Sequence, residues 1–285
     1  MLRFWGIGRS NRIVGLPRIL RPTPLARREI LVTVPAVNES DTASLSASRG
    51  VIAKVDAACA NWLFPHDLHV ALAAAAMARS AGLLDQGIIL ALQPPSIGAN
   101  ILVRAAFETW LTGCWALFGG DDAVLGIEKE RIRNEKAIVE KNDLPAKVLK
   151  HLTDQSAVIK DAEDHLLGGE APTAVKFLQM AADLPPLIKA QTRDHEDADL
   201  VLIYDLLYRV HSTNDAHPWK PIGQYLKENP VGLAVVPYRP WNNPLDAIAT
   251  MAMYVGLLGR WIDEARGGSD PDWDVSVLNC KAALD

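Results

Sequence analysis

The chain has 285 residues, of which 49% are apolar and 22% charged. That is the composition of an ordinary folded protein, and it excludes wholesale disorder, a collagen-like fibre and a disulfide-stapled miniature. Three cysteines, an odd number with no CxxC, argue against a disulfide framework or a zinc finger.

The net charge of −5 divides unevenly. Residues 1–28 hold seven arginines and no acid, so they carry +7 and leave −12 on the remaining 257 residues. An acidic body is not the footprint of a duplex-DNA binder. The basic leader suits a phosphate or an anionic membrane surface. It is also acid-free and dotted with Gly and Pro, like an organelle transit peptide. The plainer reading is a flexible N-terminal extension, or residues added by an upstream start codon. No uninterrupted apolar stretch follows the first arginines, so a secretory signal is not expected and cytoplasm is the expected location.

Ile30 to Val34 is β-like, and a lone strand is not stable. Asn38 to Gly50 is polar and Ser-rich and reads as linker, so the helical domain is expected from 51 to 285. Ala53, Ala57, Ala58 and Trp62 recur at helix spacing. Pro65 opens a second, alanine-rich helix to about Ser80, with Gly82 as its stop. Leu83 to Leu92 is a short apolar segment, closed by Pro94-Pro95.

Ser96 is an N-cap for a helix from Ile97 to about Phe118, which Gly119-Gly120 closes. This is also the best candidate for a membrane span. Arg104 and Glu108 near its middle would each cost about 2.5–3.5 kcal/mol on insertion, so it reads as a buried helix and no transmembrane segment is expected. Residues 123–142 form a charged amphipathic surface helix. Pro145 opens a helix to Leu167, and Thr173 to Ala182 forms a short one ended by Pro185-Pro186. Acids at 194–199 suit the start of a helix to Ser212 with the apolar stripe Leu200, Ile203, Leu207 and Val210. The proline-rich stretch from Thr213 reads as a long loop with one short helix. Pro244 begins the last long helix, to Arg266, stopped by Gly267-Gly268. The expected fold is all-α, a single bundle of seven or eight helices.

Two polar constellations stand out. Asn100, Arg104, Glu108 and Thr112 repeat every four residues on an otherwise apolar helix. Ionic groups in such a helix must be paired or face a cavity. The functional reading is an inward seam in which Arg104 holds an anion; the plain reading is an Arg–Glu pair on a narrow wet strip. The second constellation is Tyr204, Tyr208, His211, Ser212 and His217, close to Asn214 and Asp215. Phenol, imidazole and hydroxyl together suit acid–base work, although Ser-Thr-Asn-Asp is also an ordinary helix-ending turn. His66 and His69 are a weak metal pair without the Glu-x-x-His pattern of bundle metal sites, and no metal or cofactor is expected. Eight tryptophans exceed five phenylalanines, and Trp219 and Trp241 flank the proline-rich loop with Tyr225, Tyr238 and Arg239. They either anchor that loop or stack a base.

The string ILVRAAFETWLTGCW, with Arg104-x3-Glu108, is followed by Tyr208-x3-Ser212-x4-His217-Pro218. This combination resembles an uncharacterised bacterial all-helical family, itself similar to distant members of the HEPN superfamily. The resemblance spans about residues 50–265 in organisation and only these strings in residues. It implies a metal-independent ribonuclease of stress or defence systems, or an inactive nucleotide-binding or dimerisation module. The implied partners are RNA or a nucleotide and a second copy of the chain. The implied site is His217, Arg104, Glu108, Ser212 and Tyr208. The sequence departs from the superfamily's Arg-polar-His motif: Val210 follows Arg209, and seven residues separate Arg209 from His217. A rival reading is a non-catalytic scaffold whose polar residues form a buried structural network.

Overall fold

Small residues set how closely these helices meet. The computed structural model describes residues 39–64, 67–93, 97–142, 145–166, 176–192, 200–205, 226–229, 232–235 and 244–284. The helices are α1 (Glu39–Asn61), α2 (Leu68–Ala91), α3 (Ile97–Lys141), α4 (Ala146–Leu166), α5 (Phe177–Gln191), α6 (Leu200–Asp205), α7 (Pro244–Ala265) and α8 (Asp272–Leu284). The fold is all-α, with eight helices among the described residues, all in the compact unit Val34–Asp285.

The alanine run of α2 places it against both α3 and α7. Ala73 and Ala76 are buried, and at Gly113 of α3 an added Cβ would lie 2.8 Å from Ala76. Buried Ser80 donates to the Ala106 carbonyl of α3 at 3.0 Å, which satisfies a hydroxyl that would otherwise be costly to bury. Aromatics fill the centre. Trp110 stacks on Phe107 at 5.7 Å and donates its indole N–H to the Tyr254 carbonyl of α7 at 2.8 Å. Two stretches, Gly98–Lys141 and Pro244–Ala265, are long and apolar enough to cross a membrane by length and composition. More than half of each apolar window is buried inside the fold.

The structure corrects several expectations. Residues 39–50 are not linker but the first half of α1. Ser44 and Ser48 are buried there because they are small; Ser48 donates to Ser44's carbonyl at 2.7 Å and Ser44 to that of Ala283 at 3.4 Å. Gly82 does not stop α2, which runs on to Ala91 with Leu84 and Ile88 buried. Pro185 and Pro186 lie inside α5 instead of ending it. Buried Leu184 before them, and Leu187 and Ile188 packed on the core after them, outweigh the lost backbone hydrogen bonds. The stretch after Thr213 contains a two-stranded antiparallel hairpin, and the short helix expected there does not fall on its described residues. The hairpin comprises β1 (Leu226–Asn229) and β2 (Gly232–Val235), with Leu226 opposite Val235 and Asn229 opposite Gly232. α8 had no counterpart in the sequence reading. The basic leader and Ile30–Val34 lie outside the described residues.

Candidate functional site

A straight helix would hold Arg104 and Asn134 about 45 Å apart along its axis. Both nevertheless line one cavity of about 490 Å³. The helix therefore turns sharply, and the turn is at Gly120, where φ is 66° and ψ is −155°. That combination is essentially reserved to glycine. Gly119 beside it sits close under the second arm, since a Cβ there would lie 2.6 Å from that of Ala123. The Gly-Gly pair thus makes an elbow of α3, and the elbow's inner side is the cavity wall. His69, at the start of α2, braces the turn with Nδ1 3.3 Å from Oδ1 of Asp121.

The first arm contributes Arg104, Glu108, Thr112 and Trp115. Arg104 donates from Nε to Oε1 of Glu108 at 3.0 Å, and Thr112 donates to the Glu108 carbonyl at 2.9 Å. Arg104 and Glu108 are about a quarter exposed, as suits groups bordering a cavity. The second arm contributes Ile127, Glu130, Arg131 and Asn134. Arg131 donates to Glu128 at 2.9 Å and to Glu135 at 2.7 Å. Burial works against its charge, but those hydrogen bonds and charges outweigh it and raise its pKa. One oxygen of Glu130 accepts from Arg133 at 2.8 Å; the other is buried with no hydrogen-bond partner among the described residues. α5 adds Phe177 and Met180, with Lys176 at its N-cap, and α6 adds Tyr204.

Of the expected site residues, the structure brings Arg104 and Glu108 into this cavity, together with Thr112 and Tyr204. Tyr208, Ser212 and His217 lie outside the described residues. Asn100 is not in the cavity lining. Each step of four residues rotates about 40° past a full turn, so Asn100 and Thr112 differ by about 120°. Asn100 is instead buried, with its Oδ1 lacking a partner among the described residues.

Sequence reasoning missed Trp115, Glu130, Arg131, Lys176 and Phe177 as wall residues. Trp115 had a readable signal, lying three residues beyond Thr112 on the same strip. The others had none, because Glu130 and Arg131 are brought in by the elbow and Lys176 and Phe177 by the packing of α5, both of which are tertiary. Among the described residues no three His, Cys, Asp or Glu side chains cluster as a metal site would. Comparison with models of known protein families, with curated proteins and with solved structures gave no match.

Proposed function

We propose that this chain is a HEPN-like cytoplasmic protein of stress or defence that binds RNA or a nucleotide in the elbow of α3. The observation that carries this reading is the lining of the cavity: the Arg104–Glu108 strip meets Arg131, Lys176 and Tyr204 around a space of about 490 Å³. That volume is ordinary for a small-molecule or single-nucleotide site. Cations beside aromatic rings are what a phosphate joined to a base requires.

Tyr208, Ser212 and His217 follow Tyr204 by four, eight and thirteen residues. His217 as general base takes the proton of a ribose 2′-hydroxyl. The 2′-oxygen then attacks phosphorus, the P–O5′ bond breaks, and the leaving 5′-oxygen takes a proton from water. The products are a 2′,3′-cyclic phosphate and a 5′-hydroxyl. Arg104 offsets charge on the phosphoryl oxygens.

The test is cleavage of a labelled RNA oligonucleotide by the full chain and by His217→Ala. Loss of cyclic-phosphate product in the variant supports catalysis. Equal activity in both removes His217 from the chemistry.

One observation favours the scaffold reading: Arg104 already has a carboxylate partner on its own helix. Under that reading Arg104→Ala changes stability alone, and the protein neither binds nor cuts RNA.

A further inference from the structure

The cavity is chemically graded, and the elbow explains why. Distance from Gly120 along either arm of α3 is distance from the bend. Trp115, Ala123, Gly126 and Ile127 lie within seven residues of Gly120. Arg104, Glu108, Glu130, Arg131 and Asn134 lie ten or more residues away. The lining near the bend is therefore apolar and the lining far from it charged. From the α5 side, Met180 is buried and Lys176, at the helix N-cap, is exposed.

Trp115 differs from the other described tryptophans. Trp62, Trp110, Trp261 and Trp273 each pack against another aromatic ring. Trp115 has no such neighbour among the described residues, is only partly buried and lines the cavity. A large flat ring without a ring partner in a cavity wall is a stacking surface.

Among the charged groups of the lining, Arg104 is paired with Glu108, Arg131 with Glu128 and Glu135, and Glu130 with Arg133, so these largely neutralise one another. Lys176 is exposed and makes no ion pair among the described residues.

We infer that the cavity holds one nucleotide at a time: the base stacks on Trp115 near the elbow and the phosphate meets the exposed Lys176. This rests on the nucleotide reading above and adds an orientation and a ligand class. A free mononucleotide is sufficient; a long RNA strand would enter only by an end or by one unpaired base. Bare phosphate lacks the stacking half, and a nucleoside lacks the anionic half.

Calorimetric titration of the full chain with adenosine 5′-monophosphate, guanosine 5′-monophosphate, adenosine, ribose 5-phosphate and inorganic phosphate tests this. The mononucleotides should bind more tightly than any of the three fragments. Trp115→Leu should weaken mononucleotide binding about tenfold, and Trp115→Phe should retain most of it, as stacking energies imply. Lys176→Gln should weaken mononucleotides and leave adenosine unchanged. Trp115→Phe and Lys176→Gln keep the test valid if Trp115→Leu fails to fold. Mononucleotide binding that neither position affects overturns the inference and leaves the wider reading standing. So does binding of an RNA oligonucleotide without binding of mononucleotides. Binding of neither ends both.

Discussion

Arg104 donates to Glu108 across one turn of α3, 3.0 Å from Nε to Oε1, on the strip that faces the cavity. An intrahelical pair about a quarter exposed contributes about 0.3–0.5 kcal/mol. Arg104→Ala should therefore shift the urea midpoint only slightly while weakening RNA or nucleotide binding about tenfold. A large stability loss with unchanged binding would assign the pair to the scaffold.

Two glycines in helices should respond in opposite senses to alanine. Gly120 has space for a Cβ but a backbone that L residues avoid, so Gly120→Ala should cost about 1–3 kcal/mol. Gly82 is helical, exposed and has no atom within 4 Å of an added Cβ, so Gly82→Ala should stabilise by about 0.5–1 kcal/mol. Thermal melts of the two variants should move to either side of the parent's, and ligand binding should suffer only at Gly120.

These two glycines also show what the sequence could tell. Gly119-Gly120 was readable as a break between an apolar helix and a charged one, and the chain does turn there. What the pair does not encode locally is the direction of the turn, set by ψ at one residue and by packing on α2. The Arg104–Glu108 strip was legible because ionic groups on an apolar helix need a reason. Its opposite wall was not, since Arg131 and Lys176 look like any solvated cation until the elbow closes and α5 packs. The buried start of α1 was missed for a related reason. Serine reads as polar, yet Ser44 and Ser48 satisfy their hydroxyls on backbone carbonyls and leave a small surface that packs. Proline gave a false stop in α5, where tertiary burial overrides propensity.

Lys54 ties α1 to the turn before α8 through Asp270, and reaches Asp272 at 3.4 Å. The hydrogen bond from Lys54 holds the Asp270 carboxyl below its ordinary 3.8. A lowered folded pKa contributes stability that is complete above 3.8 and is lost as pH falls through the folded value. Burial opposes the charge of Lys54, but the two aspartates outweigh it and raise its pKa above 10.5, so its share is lost as pH rises past 10.5. Asp270→Asn should lower the urea midpoint at pH 7 by a small amount, because the pair is partly exposed. That difference should shrink as pH falls below 3.8 and vanish below the lowered folded value; a difference independent of pH would refute the linkage.

Cys114 and Cys280 are buried, while Cys59 is exposed. Burial pushes the Cys114 thiol well above its usual range and that of Cys280 up to about 11. Partial burial, with Asp56 nearby, also raises Cys59. Native protein should therefore show one slow thiol towards an aromatic disulfide reagent at pH 8, and none after Cys59→Ser. Unfolding in guanidinium should expose all three in the parent. Rapid reaction of two or more native thiols would contradict the packing of α3 and α8.

Trp273 of α8 lies over Gly259 of α7, and an added Cβ at Gly259 would come within 2.4 Å of its ring. The ring cannot yield easily, because Trp273 is fully buried and packs against Trp62 at 6.0 Å. Gly259→Ala should therefore destabilise by about 1–3 kcal/mol, against the helix-propensity gain that alanine normally brings. Trp273→Leu alone should also cost stability, since it leaves space beside Trp62. In the double variant the Cβ meets the smaller side chain, so the combined loss should be less than the sum of the two. A double-mutant cycle on urea midpoints measures this coupling. Strict additivity would mean that the helices separate to admit the Cβ, and that the close approach of α7 and α8 does not depend on glycine.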